Sequence, residues 1–233
     1  MNPVMMGHKP VEVYDSGVRL NRGIKAMIFD LDGTLVDTVD LHINSWIRTC
    51  EIMGMEVPSV DYVRSLMGMR ALDIAARLCG QERAREALAI KNRVYESLIT
   101  NVRPVSGAAE VLSSLKRRGY LVGVVTSSVR SIARKSLEAA GLLQYVDALV
   151  AGDEVSRGKP DPEPLLKLLS NLKLNVDDVV VVGDTLYDIM MGINAGVKLV
   201  ILLKTRDLKS VDNVPVNVVI INSLTELLEL IKQ

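Results

Sequence analysis

Ala26-Met27-Ile28-Phe29-Asp30-Leu31-Asp32-Gly33-Thr34-Leu35-Val36-Asp37-Thr38 is the stretch on which the reading of the fold turns. Ala26 to Phe29 is a short, wholly apolar run, the size and composition of a buried strand. It stops at Asp30, and Gly33-Thr34 then sets the chain into a loop. Two carboxylates, Asp30 and Asp32, therefore stand at a strand end, where ligands gather in open α/β sheets. Carboxylates directed into a crevice invite a divalent cation, and oxygen ligands favour magnesium. A calcium EF-hand loop also begins Asp-x-Asp. Counted from Asp30, it requires Gly at Leu35 and Glu at Leu41, and so it is excluded.

Downstream of Thr38 the pattern changes to a helical stride. Apolar residues recur at Val39, Ile43, Trp46, Ile47, Cys50 and Met53, and Gly54 ends the run. A second helix starts at Asp61 and breaks at Gly68; a third runs from Leu72 to Gly80; a fourth carries Ala84, Ala87, Leu88, Tyr95 and Leu98. From Pro104 and Gly107 onward, helix alternates with strand. The strands are expected at Tyr120–Val125, Ala148–Val150, Val179–Val182, Lys198–Leu202 and Val218–Ile221. Such alternation predicts an α/β fold with a parallel sheet and helices on both faces. Residues 23–38 and 103–233 form that core, and 39–102 is a helical insertion. Residues 1–22 are an extension in which Val11, Val13 and a turn at Gly17 suggest a short hairpin. His8 lies in this solvated tail.

The 233 residues are 48% hydrophobic, enough for a sizeable core, and Lys+Arg and Asp+Glu both number 28. Balanced charge gives no pull toward nucleic acid or anionic membrane, and 3% aromatics leave little to stack on bases. No apolar run reaches membrane-spanning length and no signal-peptide pattern opens the sequence, so a cytoplasmic protein is expected. Cys50 and Cys79 have no metal-ligand spacing and fall in helical patterns, as buried thiols do. There is no Walker A loop and no G-x-G-x-x-G.

Three further clusters could carry chemistry. Thr126-Ser127-Ser128 follows the strand ending at Val125 and precedes a helix, a generic anion site. Lys159 lies in a loop stiffened by Pro160 and Pro162. Asp184 and Asp188 follow the strand Val179–Val182 at four-residue spacing, on one side of a helical turn.

The pentad Asp30-Leu31-Asp32-Gly33-Thr34, followed in order by Thr126, Lys159-Pro160 and Gly183-Asp184 with Asp188, resembles the four signatures of the haloacid dehalogenase-like hydrolases. The resemblance covers the whole core. It implies a Rossmann-like parallel sheet with a four-helix cap inserted after the first strand, closing over the active site. It implies that Asp30 is the nucleophile that takes up a phosphoryl group. Asp32 would be the general acid/base, with its backbone carbonyl also binding Mg2+. Thr126 and the Ser127 amide would hold the phosphoryl group, Lys159 would neutralise it, Asp184 would ligate magnesium, and Asp188 would hold a water or the lysine. The expected activity is hydrolysis of small phosphate monoesters, in the manner of phosphoglycolate phosphatases, by a monomer or homodimer acting on a small phosphorylated metabolite. The alternative within the same chemistry is a phosphomutase of the β-phosphoglucomutase type, because Leu41-His42 through Ser45-Trp46 resembles that group's hinge, where a His helps exclude water. Against it, Arg70 in Gly68-Met69-Arg70-Ala71 is offset by one from the mutase pattern. Met67 to Arg70 is the expected selecting loop, with Arg70 a partner for substrate charge. The alternative of another class is a non-catalytic phosphoacceptor of the receiver type, which has about half this length and carries its acceptor Asp after the third strand.

Overall fold

Strand β2, Ala26–Phe29, is fully buried inside the sheet, as its uninterrupted apolar sequence requires. The computed structural model describes residues 11–12, 23–205 and 218–231. The other strands are β1 (Val11–Glu12), β3 (Leu121–Val125), β4 (Ala148–Val150), β5 (Val179–Gly183), β6 (Val200–Leu203) and β7 (Val218–Ile221). They form one sheet in the order β1-β7-β6-β5-β2-β3-β4, and every pairing is parallel. β2 is flanked by β3 and β5, with Phe29 level with Val124 on one side and Val182 on the other.

Alternate residues of each strand enter opposite layers. Met27 and Phe29 join Val122, Val124, Val180 and Val182 in one apolar cluster. Ala26 and Ile28 join Val125, Val179 and Val181 in the other. A parallel sheet buried on both faces needs such β-branched, doubly apolar strands.

The four helices that follow β2 are α1 (Val39–Ile52), α2 (Val60–Ser65), α3 (Ala71–Cys79) and α4 (Ala84–Ser97). They bury a third cluster of their own, including Ile43, Trp46, Cys50, Val63, Ile74, Cys79 and Ala87. Both cysteines are buried free thiols. The core helices are α5 (Ala108–Arg117), α6 (Arg130–Ala139), α7 (Glu163–Leu172), α8 (Leu186–Asn194) and α9 (Leu227–Leu230). No helix among the described residues is long and apolar enough to cross a membrane.

Of the short hairpin expected near the N-terminus only Val11–Glu12 is described, and it pairs in parallel with Val219–Ile220 at the sheet edge. Val13, Gly17 and His8 lie outside the described residues. The strand expected at Lys198–Leu202 is Val200–Leu203, because an apolar run from Leu199 to Leu203 does not itself say which residue pairs first.

Candidate active site

Register puts the chemistry at one level. Asp30 follows Phe29 directly, while Thr126 and Asp184 come two residues after its sheet partners Val124 and Val182. The amide of Asp30 still donates to Val182 O at 2.8 Å, so its position is set by the sheet. Asp32 comes after the chain has left it. Gly33 has φ +92, and any Cβ there would strike the Asp184 carboxylate, so the loop returns as closely as it does only with glycine.

Two groups of contacts result. In the first, Lys159 Nζ donates to Asp30 Oδ1 at 2.5 Å and to Asp188 Oδ1 at 2.6 Å, all three residues being buried. Thr34 Oγ1 donates to Asp184 Oδ1 at 2.8 Å, and the backbone and hydroxyl of Thr185 both donate to Asp188 Oδ2. Oxygens of Asp30, Asp184 and Asp188 lie within 4.8 Å of one another, a group able to hold a metal ion. Burial, then the neighbouring charge of Asp188, pushes the Asp30 carboxyl up to about 7 against the pull of Lys159. Burial beside Asp30 and Asp188 likewise holds Asp184 well above the usual carboxylate range. Burial works against the Lys159 ammonium, but Asp188 and Asp30 outweigh it and keep the amine charged.

The second group surrounds Asp32. Its Oδ1 accepts from Thr38 at 2.7 Å and lies 2.9 Å from His42 Nε2; its Oδ2 accepts from Ser128 at 2.8 Å and Thr126 at 3.3 Å. Burial pushes this carboxyl up, yet His42 and the hydroxyls of Thr38 and Ser128 outweigh burial and hold it well below the carboxylate range. His42 Nδ1 is 2.7 Å from Lys91 Nζ. An ammonium can only donate, so Nδ1 accepts and the ring proton sits on Nε2, facing Asp32. Burial, then the Lys91 charge, lowers the His42 pKa, which makes the ring a neutral N–H donor rather than a cation. Tyr95 stacks on it at 4.3 Å and donates to or accepts from Ser136 Oγ at 2.9 Å.

Asp30, Asp32, Thr126, Lys159, Asp184, Asp188 and His42 thus converge. Ser127 lies at the seam between core and helices: its hydroxyl donates to Gly68 O at 2.7 Å, and its carbonyl accepts from Ala71 N at 3.0 Å. Arg70 is placed differently from its expected role. Its guanidinium is spent on Asp73 and on the carbonyls of Val155 and Ser156, and it does not line the main cavity. It fastens the helical layer to the loop leading to Lys159.

Sequence reading missed Thr34, Thr38, Ser128 and Lys91. One of them left a signal. Lys91 falls in register with Ala84, Ala87 and Tyr95 on the apolar stripe of α4, where a charge is out of place.

Residues 27–202 match the family model described as haloacid dehalogenase-like hydrolase. The pyrophosphatase PpaX of Halalkalibacterium halodurans is 34% identical over 178 residues, covering 75% of this chain and 81% of that protein. Among solved structures, CbbY from Rhodobacter sphaeroides in complex with phosphate superposes with TM-score 0.79 at 21% identity, covering 88% of this chain and 96% of that one. A predicted phosphoglycolate phosphatase from Haemophilus somnus gives 0.75 at 22%, covering 89% and 97%. At those identities the structures speak for the fold alone, whereas the family model spans most of the chain. With the strand-end aspartates and the buried lysine in place, the chain belongs to the haloacid dehalogenase-like hydrolase family and is a phosphatase enzyme.

Proposed function

We propose that the enzyme hydrolyses phosphate monoesters through a phosphoryl group carried on Asp30, with magnesium, beneath a cap formed by residues 39–102. The observation that carries this reading is the division of labour at one strand end. Asp30 sits among acids with a lysine on one oxygen, and Asp32, two residues on, sits among donors.

The donor set fits a hard divalent cation. Three buried carboxylates against one lysine leave excess negative charge, and oxygen-only ligands suit magnesium. Asp188 has both oxygens engaged by Lys159 and Thr185, which supports Asp30 and Asp184, with the Asp32 carbonyl, as the residues that would hold the ion. Magnesium bound there supplies charge neutralisation for the phosphoryl oxygens.

The chain's own residues do the rest. Lys159 fixes Asp30 Oδ1, and Asp30 lines the cavity. An Asp30 oxygen forms the bond to phosphorus as the bond to the leaving alcohol breaks. Asp32 gives that alcohol its proton; the negative charge of the arriving ester is what raises its affinity for one. Water then attacks phosphorus, Asp32 takes the water's proton, and Asp30 is released with phosphate. In that second half the donors around Asp32 favour its ionised form. The helices over the site keep other water out.

The test is stoichiometry. Phosphate released from several monoesters should equal substrate consumed, pyrophosphate, for which the PpaX relative is named, should give two phosphates per molecule, and Asp30→Asn should lower the rate by ~10³-fold or more. Retained activity in that variant would remove Asp30 as nucleophile. The second reading, a phosphomutase, is favoured by one observation, the 2.9 Å contact of His42 with Asp32. A phosphorus NMR time course separates the two: an isomerised sugar phosphate forming faster than free phosphate would decide for the mutase.

A further inference from the structure

The cavity above Asp30 and Asp32 has a volume of about 370 Å³, within the ~300–1,000 Å³ that holds small organic ligands. Its floor is polar: Asp30, Asp32, Ser127, Ser128 and Asp184. Its wall is not. Val39, Met67, Met69 and Ile74 from the helical layer face Leu186 and Tyr187 from the start of α8. Leu186 is a large apolar side chain, 52% exposed among the described residues. Among the described residues two cations line the cavity, and both are engaged. Arg64 pairs with Asp40 at 2.7 Å, and Lys91 is buried on His42. Arg70, which the sequence offers as a partner for a charged substrate, is fastened elsewhere.

A second phosphate or a carboxylate on the substrate would meet hydrocarbon on this wall and lose hydration without a partner. An apolar group would gain by it, and the two methionines would let the wall adjust to its shape. We infer that the substrate is a phosphate monoester whose leaving alcohol carries an apolar body and no second anionic group. This rests on the phosphatase reading above and names the class of ester it serves.

The test uses n-alkyl phosphates from ethyl to hexyl, whose alcohols differ little in acidity but add one methylene at a time. kcat/KM should rise about fourfold per methylene, the equivalent of ~0.8 kcal/mol. In Met67→Ser and in Leu186→Ser, both at solvent-accessible positions, the slope should fall below about twofold. A flat series, or phosphoglycolate or pyrophosphate turned over faster than hexyl phosphate, overturns the inference. The matching alkyl phosphonates, which are not hydrolysed, are titrated by calorimetry alongside. If no ester turns over, hydrolysis is wrong, and the phosphonates alone then decide: affinity rising with chain length supports the apolar wall, and constant affinity removes it.

Discussion

Lys91 is 1% exposed, on a helix face shared with alanines and Tyr95. A buried ammonium is costly unless it is paired. Here it has the His42 nitrogen at 2.7 Å and the rings of Tyr95 and Trp46 at 4.9 and 5.6 Å. Burial still pushes its pKa down to about 8, which leaves it charged at pH 7. That charge, after burial, is what keeps His42 neutral. Lys91→Met fills the space and removes the charge while Asp32 remains, so the His42 pKa should rise; an imidazole NMR titration reads it. An unchanged or lower value would contradict the pairing. At this scale sequence legibility divides by distance. Asp30 and Asp184 were legible because each follows directly on an apolar strand. The contacts of Thr34 with Asp184 and Ser128 with Asp32 join residues 150 and 96 positions apart, where local periodicity carries no information. Arg70 was named from its loop, but which way a guanidinium points is settled by the carbonyls it meets.

Strand β3 is tightly packed on its Gly123 side. At Gly123 an added Cβ would lie 2.7 Å from Leu168 Cδ2 of α7 and 2.8 Å from Ile28 Cδ1 of β2. A methyl there has to displace the ends of the Leu168 and Ile28 side chains, which are themselves fully buried. Overpacking of this kind costs about 1–3 kcal/mol. Gly123→Ala should therefore lower Tm by roughly 2–12 °C, at ~2–4 °C per kcal/mol for a chain of this size. Calorimetry measures it, and an unchanged Tm would mean that the neighbours yield freely. Element type was readable almost throughout. The stride of Val39, Ile43, Trp46 and Cys50 permits only a helix, and Val179 to Val182 only a buried strand. What escaped was pairing: two residues, Val11 and Glu12, contain too little pattern to show that their partner is a strand some two hundred positions away.

Across the whole molecule Lys+Arg and Asp+Glu balance at 28 each, yet the site concentrates acids around a single lysine. Asp30 at about 7 and Asp184 well above its ordinary value both hold protons where exposed carboxylates have lost them. In the metal-free protein the folded state therefore binds more protons than the unfolded one. The contribution of these groups to stability falls as pH rises from about 4 toward 7. A divalent cation bound there has to displace those protons, so the affinity for magnesium, the ion proposed above, should rise between pH 5.5 and 7.5, by about tenfold per unit for each proton released. Calorimetry at three pH values checks this, and an affinity independent of pH would refute it. Comparing protein with and without magnesium cancels His42, whose lowered pKa acts over the same range with opposite sign.

The order of the strands has a consequence for how the enzyme comes into being. A ribosome delivers Asp30 early, but its neighbour strand β3 begins at Leu121, and β5 at Val179. The four helices between can gather around their own apolar cluster meanwhile. Closing so long a loop adds little entropic penalty, since that penalty grows only with the logarithm of length. Asp30, the proposed nucleophile, nevertheless waits, without the Thr126 hydroxyl, Lys159 or Asp184, until residues 126, 159 and 184 have been made. On the proposed mechanism a nascent chain is chemically silent for most of its synthesis, and a product stopped before Asp184 would carry Asp30 with no means of using it.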